Sequence, residues 1–226
     1  FKQKTAYEIS LGLVGSEMCI RDRFDADGTL VDHCFVDIFW EKEVPKLYAK
    51  RHGISFNEAW EEVRRCYNEI GEEDIRWYLP SYWFKRFELE EKPVEVLKRL
   101  KKHVKIFPDS LETIENLYDR YELIVVSNAP REILEIELEE IKDYFSKIYS
   151  CTSQFKEVRK NPEVYLKVCK EIKASPKHLI HVGDHYKFDY EVPRSLGIRS
   201  FLIDRKNNFD GKEDILRDMR ELLQKI

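Results

Sequence analysis

The stretch FDADGTLVD, Phe24–Asp32, decides how this chain is read. Residues two apart on an extended segment point the same way, so Asp25 and Asp27 face one cleft if Asp25 closes a strand. Gly28 then lets the backbone turn sharply beside them. Taken alone, the stretch also suits a polar Asp-Gly turn. A calcium loop would need glycine at its sixth position and glutamate at its twelfth. Counted from Asp25, Gly28 is fourth and Val36 is twelfth, so that reading fails.

Working outward, four apolar runs read as buried strands: LIVVSN (Leu123–Asn128), KIYSC (Lys147–Cys151), LIHVGD (Leu179–Asp184) and SFLID (Ser200–Asp204). Helical patterns alternate with them. PDSLETIENLYDRY offers Asp109 or Ser110 as N-cap, with Glu112 completing a capping box from Asp109. NPEVYLKVCKEIK starts on Asn161 as N-cap with Pro162 at the first helical position. A closing helix is expected over about Lys212–Lys225. Such alternation predicts a doubly wound α/β fold with a parallel sheet, whose ligands bind at the carboxyl edge.

Residues 34–104 interrupt the pattern. They carry helical periodicity in FVDIFWEKEVPKLYAKRHG, broken at Pro45, then in FNEAWEEVRRCYNEI and PVEVLKRLKKH, with no convincing strand. The expected division is a core of residues 23–33 and 105–226 with a helical cap of 34–104. The cap's IRWYLPSYWFKRF is rich in aromatics, which mostly signal packing. Trp77, Tyr78, Tyr82 and Trp83 are the candidates for a surface turned toward the site.

Composition narrows the function. The charged fraction is 36%, yet the net charge is only −4, which argues against a nucleic-acid partner. The basic run KRLKKHVK (Lys98–Lys105), with Leu97 just before it and Leu100 and Val104 within it at helical spacing, reads as a solvated helix face. Five cysteines without a C-x-x-C pair suggest reduced thiols in a cytoplasmic protein. No apolar run approaches the ~20 residues of a membrane span. Serine-hydrolase, P-loop and dinucleotide motifs are absent, and His181 and His185 do not make H-E-x-x-H. His181 reads as a core histidine, whereas His185 and His33 adjoin the motifs and are candidates for the site's mouth.

Three predicted strands thus end in Asp25, Ser127 and Asp184, Lys160 precedes a helix, and Asp189 follows in GDHYKFD. Carboxylates gathered at one edge are costly unless a cation joins them, and an all-oxygen set suits magnesium. A lysine and a hydroxyl beside that metal suit a phosphoryl group.

In this order, DADGT, the strand ending in Ser127, Lys160 and GDHYKFD, the chain resembles the haloacid dehalogenase superfamily, among its phosphatases. The resemblance covers roughly Phe24–Asp204, with the helical insert where that family places its first type of cap. It implies Asp25 as nucleophile and Asp27 as general acid and base. It implies magnesium (Mg2+) on Asp25, Asp184 and the Asp27 carbonyl, and phosphoryl binding by Ser127, Asn128 and Lys160. Thr29 and Asp189 would support this set. Dehalogenases of the superfamily lack an acid at the position of Asp27, so phosphoryl chemistry is favoured. The expected activity is hydrolysis of small phosphorylated metabolites, with a phosphomutase or a non-catalytic binding module as alternatives.

The lead-in to Asp25 conflicts with this picture. A central strand should be apolar, but Arg21, Asp22 and Arg23 stand there. YEISLGLVGSEMCIRDR resembles translated sequencing-adaptor read-through, and the expectation is that the N-terminal segment 1–22, and roughly Thr5–Arg23, is not native to the enzyme.

Overall fold

The sheet forms where the apolar runs predict it. The computed structural model describes residues 21–209 and 214–226. Its strands are β1 (Arg21–Phe24), β2 (Glu122–Ser127), β3 (Lys147–Ser150), β4 (Leu179–Gly183), β5 (Arg199–Ile203) and β6 (Ile215–Leu216). They run parallel in the order β3-β2-β1-β4-β5-β6. β1 is central, with Phe24 opposite Val125 on one side and Val182 on the other. Apart from its strand backbone at positions 21 and 22, the segment 1–22 expected to be foreign lies outside the described residues.

Both faces of the sheet are covered, as the unbroken apolar strands require. Leu123 and Val125 of β2 join Phe24 and the helix residues Ile114, Leu117 and Leu134 in one core. Ile124 and Val126 face the other way, onto Val164, Tyr165 and Val168 of the helix Pro162–Glu171. That helix starts as its sequence predicts, with Asn161 accepting from the Val164 N–H and Pro162 at its first turn. The same alternation sends Arg23 into the second core, where it is fully buried.

Two elements differ from the sequence reading. No helix fills the described part of Lys212–Lys225. β6 extends the sheet beside β5, and Met219–Gln224 forms a 3-10 turn capped by Asp218 and Glu221. A strand here satisfies the open edge of β5 while still burying Leu216, Met219 and Leu222. Asp109 and Ser110 are not N-caps either. Pro108 opens that helix, and both side chains reach across to Arg205.

Arg205 is the hub of that contact. It donates to Asp109 Oδ2 at 2.8 Å, Ser110 Oγ at 2.9 Å, the Thr29 carbonyl at 3.0 Å and the Gly28 carbonyl at 3.3 Å, and it lies over the Phe107 ring. It therefore pins the turn that follows Asp25 and Asp27. Arg205→Met should cost about 2 kcal/mol, as expected for charged hydrogen bonds left unmade. Urea unfolding checks this, and an unchanged midpoint would refute the hub.

Between β1 and β2 the described residues 34–103 contain only helices and turns. Phe56–Ile70 begins on a Ser55–Glu58 capping box. Around Pro45, which cannot donate a backbone bond, the chain widens into a π turn over Phe39–Glu43. The insert has its own aromatic core of Phe35, Phe39, Trp83, Phe84 and Phe87, which also takes in Ile133 and Ile136. Trp83 is fully buried there and donates to the Trp77 carbonyl at 3.0 Å. Of the four aromatics singled out from sequence, only Tyr78 lines the cavity described below. No helix among the described residues is long and apolar enough to cross a membrane.

Candidate active site

The carboxyl edge gathers the expected residues. Asp25 follows β1, Ser127 closes β2 and Asp184 follows β4, on three neighbouring strands. Lys160, just ahead of the helix Pro162–Glu171, reaches Asp25 Oδ1 at 2.7 Å and Asp189 Oδ1 at 2.5 Å. All three are buried. Buried ions persist only when paired, and the lysine meets that need for both carboxylates. Burial pulls the Lys160 ammonium down, but Asp189 and Asp25 more than offset this and hold it protonated.

The two motif aspartates are driven upward. Burial, reinforced by Asp189 and Asp184, pushes Asp25 up to about 8 against the pull of Lys160. Burial likewise raises Asp27. Both line a cavity of about 340 Å³ together with His33, Ser127, Asn128, Lys160 and Asp184. His33 lies 3.6 Å from Asp184, whose hydrogen bond raises the imidazole to about 9. His185 also lines the mouth.

The supporting residues act through named contacts. Asp189 accepts from the His185 amide at 3.1 Å and pairs with His181 Nε2 at 2.9 Å. His181 is the expected core histidine, lowered to about 4 by burial, and it fixes Asp189. Thr29 is buried. Its carbonyl takes Ser110 and Arg205, while its hydroxyl has no partner among the described residues. Ser127 Oγ accepts from the Ala129 amide at 3.1 Å. Asn128 Oδ1 takes the Arg159 amide at 2.7 Å, which braces the loop carrying Lys160.

Two residues escaped the sequence reading. Glu137, on the helix Arg131–Glu137, is buried against Asp27, and burial followed by the Asp27 charge raises it well above the usual carboxylate range. Its one signal was position: it shares a helix face with Ile133 and Leu134. Arg159 also lines the cavity, and only its place next to Lys160 hinted at that.

The donor set fits magnesium. Carboxylate oxygens of Asp25, Asp184 and Asp189 lie within 4.8 Å of one another, and every donor is oxygen. Asp25 and Asp184 could hold such an ion, with Asp189 tied to both Lys160 and His181. Gly28 has φ +73°, and a Cβ there would collide with the Asp184 carboxylate, so this cradle needs glycine.

A family model described as haloacid dehalogenase-like hydrolase matches residues 23–203. The GMP/IMP nucleotidase YrfG of Escherichia coli (strain K12) is 35% identical over 66 residues, which is 29% of this chain and 29% of that protein. The alignment thus spans less than a third of that relative's length. An HAD phosphatase from Thermococcus onnurineus superposes with a TM-score of 0.78 at 24% identity, over 90% of this chain and 96% of that one. The magnesium-bound putative HAD-hydrolase YfnB from Bacillus subtilis gives 0.61 at 16% identity, over 92% and 98%. At these identities the structural likeness shows the fold alone.

Proposed function

The chain belongs to the haloacid dehalogenase-like hydrolase family, and from that premise we propose that it is a magnesium-dependent phosphatase of small phosphorylated metabolites. The observation that carries this reading is the Asp25–Lys160–Asp189 chain, with Asp27 and Asp184 opening on the same cavity. The nucleotidase relative supports it.

In this proposal Asp25 attacks phosphorus, an aspartyl-phosphate forms, and the bond to the leaving oxygen breaks. Asp27, raised by burial, hands its proton to that oxygen. It then takes a proton from the water that attacks the same phosphorus, which frees Asp25 and releases phosphate. Lys160 and the Ser127 hydroxyl hold the phosphoryl oxygens. Magnesium, held by Asp25, Asp184 and the Asp27 carbonyl, would supply the charge neutralisation a carboxylate needs to approach a phosphate. Residues 34–104 act as a lid, since Glu72 and Tyr78 from that insert line the same cavity as Asp25. The described cysteines are unpaired, which suits a reducing, cytoplasmic setting.

The test is phosphate release from p-nitrophenyl phosphate and a panel of phosphorylated metabolites, with and without chelator. Release that requires magnesium is expected, and none from any substrate would refute the reading. Thermal stability gives a second readout. The folded pKa of Asp25 lies above its ordinary 3.8, so the folded chain keeps a proton the unfolded chain has lost. That contribution is complete at low pH and is lost as pH rises from about 4 to about 8 in the metal-free protein. Magnesium competes with that proton, so its stabilisation should grow over the same window. At a hundred-fold excess over Kd it is worth about 2.7 kcal/mol, or roughly 5–10 °C for a chain of this size. Equal shifts at pH 5 and pH 8 would remove Asp25 from the metal site.

A further inference from the structure

Arg159 has an unusual setting. Its φ is +68°, a left-handed backbone that residues with a Cβ adopt reluctantly. The Asn128 side chain holds that conformation by accepting the Arg159 amide. The guanidinium lines the same cavity as Asp25 and Lys160 and lies 5.0 Å from the Phe188 ring centroid. Its Nη2 meets Glu72 and Glu73, from the insert, each at 2.7 Å. The partners are unequal: the Arg159 side chain is 21% exposed, those of the glutamates 68% and 78%. Carboxylates that hydrated are released at little cost, whereas a half-buried guanidinium needs a replacement anion. Lys187 lines the same cavity and lies against the same Phe188 ring, a second cation beside Arg159.

We propose that Arg159 binds a second anionic group on the substrate, a carboxylate on the leaving alcohol, and that Glu72 and Glu73 hold its place until substrate arrives. This rests on the phosphatase reading above. The planar fork of arginine matches a carboxylate, and two carboxylates already sit on it. Lys160 contacts Asp25, and in this proposal Arg159 takes the leaving-group end of the same cavity. The class selected is small phosphomonoesters of hydroxy acids, ahead of esters of neutral alcohols.

The test uses a matched pair. 3-Phosphoglycerate carries a carboxylate where glycerol 3-phosphate carries a hydroxymethyl group. The unmodified protein should favour the former by roughly 10- to 100-fold in kcat/KM, the range of a charged hydrogen bond. Arg159→Gln should bring that ratio to about one, and Arg159→Lys should leave it intermediate. Arg159→Gly removes the side chain while relaxing the backbone, so loss of preference there is not a folding defect. The double variant Glu72→Gln/Glu73→Gln should lower KM for 3-phosphoglycerate more than for glycerol 3-phosphate. Hydrolysis of neither ester, nor of p-nitrophenyl phosphate, would refute the phosphatase reading itself. Equal use of the pair, a ratio unmoved in Arg159→Gln, or a preference for a nucleoside monophosphate would overturn this inference alone.

Discussion

Asp25→Asn should abolish turnover, by at least about a thousand-fold in kcat, because an amide is no nucleophile toward phosphorus. The fold should survive the change. Asp25 is a buried carboxylate crowded by Asp189 and Asp184, and Lys160 keeps Asp189 as its counterion when Asp25 loses its charge. The metal-free thermal midpoint of Asp25→Asn should therefore equal or exceed that of the unmodified protein at pH 8. The pairing of a lost activity with a kept midpoint separates chemistry from unfolding. Asp27→Asn should slow turnover by about 10²- to 10⁴-fold, the usual reach of a general acid and base. It should keep most of the magnesium-induced stabilisation, since only its carbonyl is assigned to the ion. Normal phosphatase activity in Asp25→Asn would eliminate the covalent route.

What the sequence could reveal follows from how local each feature is. The sheet strands announce themselves because a strand covered on both faces must be apolar throughout, as in LIVVSN. The site residues announce themselves because their spacing is fixed by strand ends and turns. Asp25, Ser127, Lys160 and Asp184 converge on one cavity from four separate stretches. Features decided by distant partners were invisible. Asp109 looks like a helix cap until Arg205, remote in sequence, claims its carboxylate. The closing segment has a spacing that suits a helix, yet the free edge of β5 recruits it as a strand. Trp77 and Trp83 could have faced a ligand, and instead Trp83 fills the insert's own core and Trp77 packs against it. Arg159 and Glu137 gain meaning only from the side chains the fold brings beside them.

Arg23 gives the sharpest stability prediction. It occupies the central strand at 0% exposure, facing Tyr165 and Cys169. Nη2 donates to the Cys169 sulfur at 3.3 Å, while Nε and Nη1 have no partner among the described residues. The guanidinium sits 5.6 Å from the Tyr165 ring centroid, a contact worth about 2 kcal/mol at most. Burial pulls its pKa down, against the opposing pull of Cys169. Leaving a charge desolvated costs several kcal/mol, whereas apolar residues in place of buried ions are often stabilising by about 1–4 kcal/mol. Arg23→Met follows the shape of the arginine stem, and Arg23→Leu supplies a residue typical of such strands. Leucine leaves a gap whose cost subtracts from its gain, so Met should do at least as well. We expect a gain of about 2–4 kcal/mol, or roughly 5–15 °C in thermal midpoint for a chain of this length. Such a rise is what a strand segment foreign to its core would give. If both variants melt at or below the unmodified protein, Arg23 is accommodated after all, and the segment leading into Asp25 belongs to this fold.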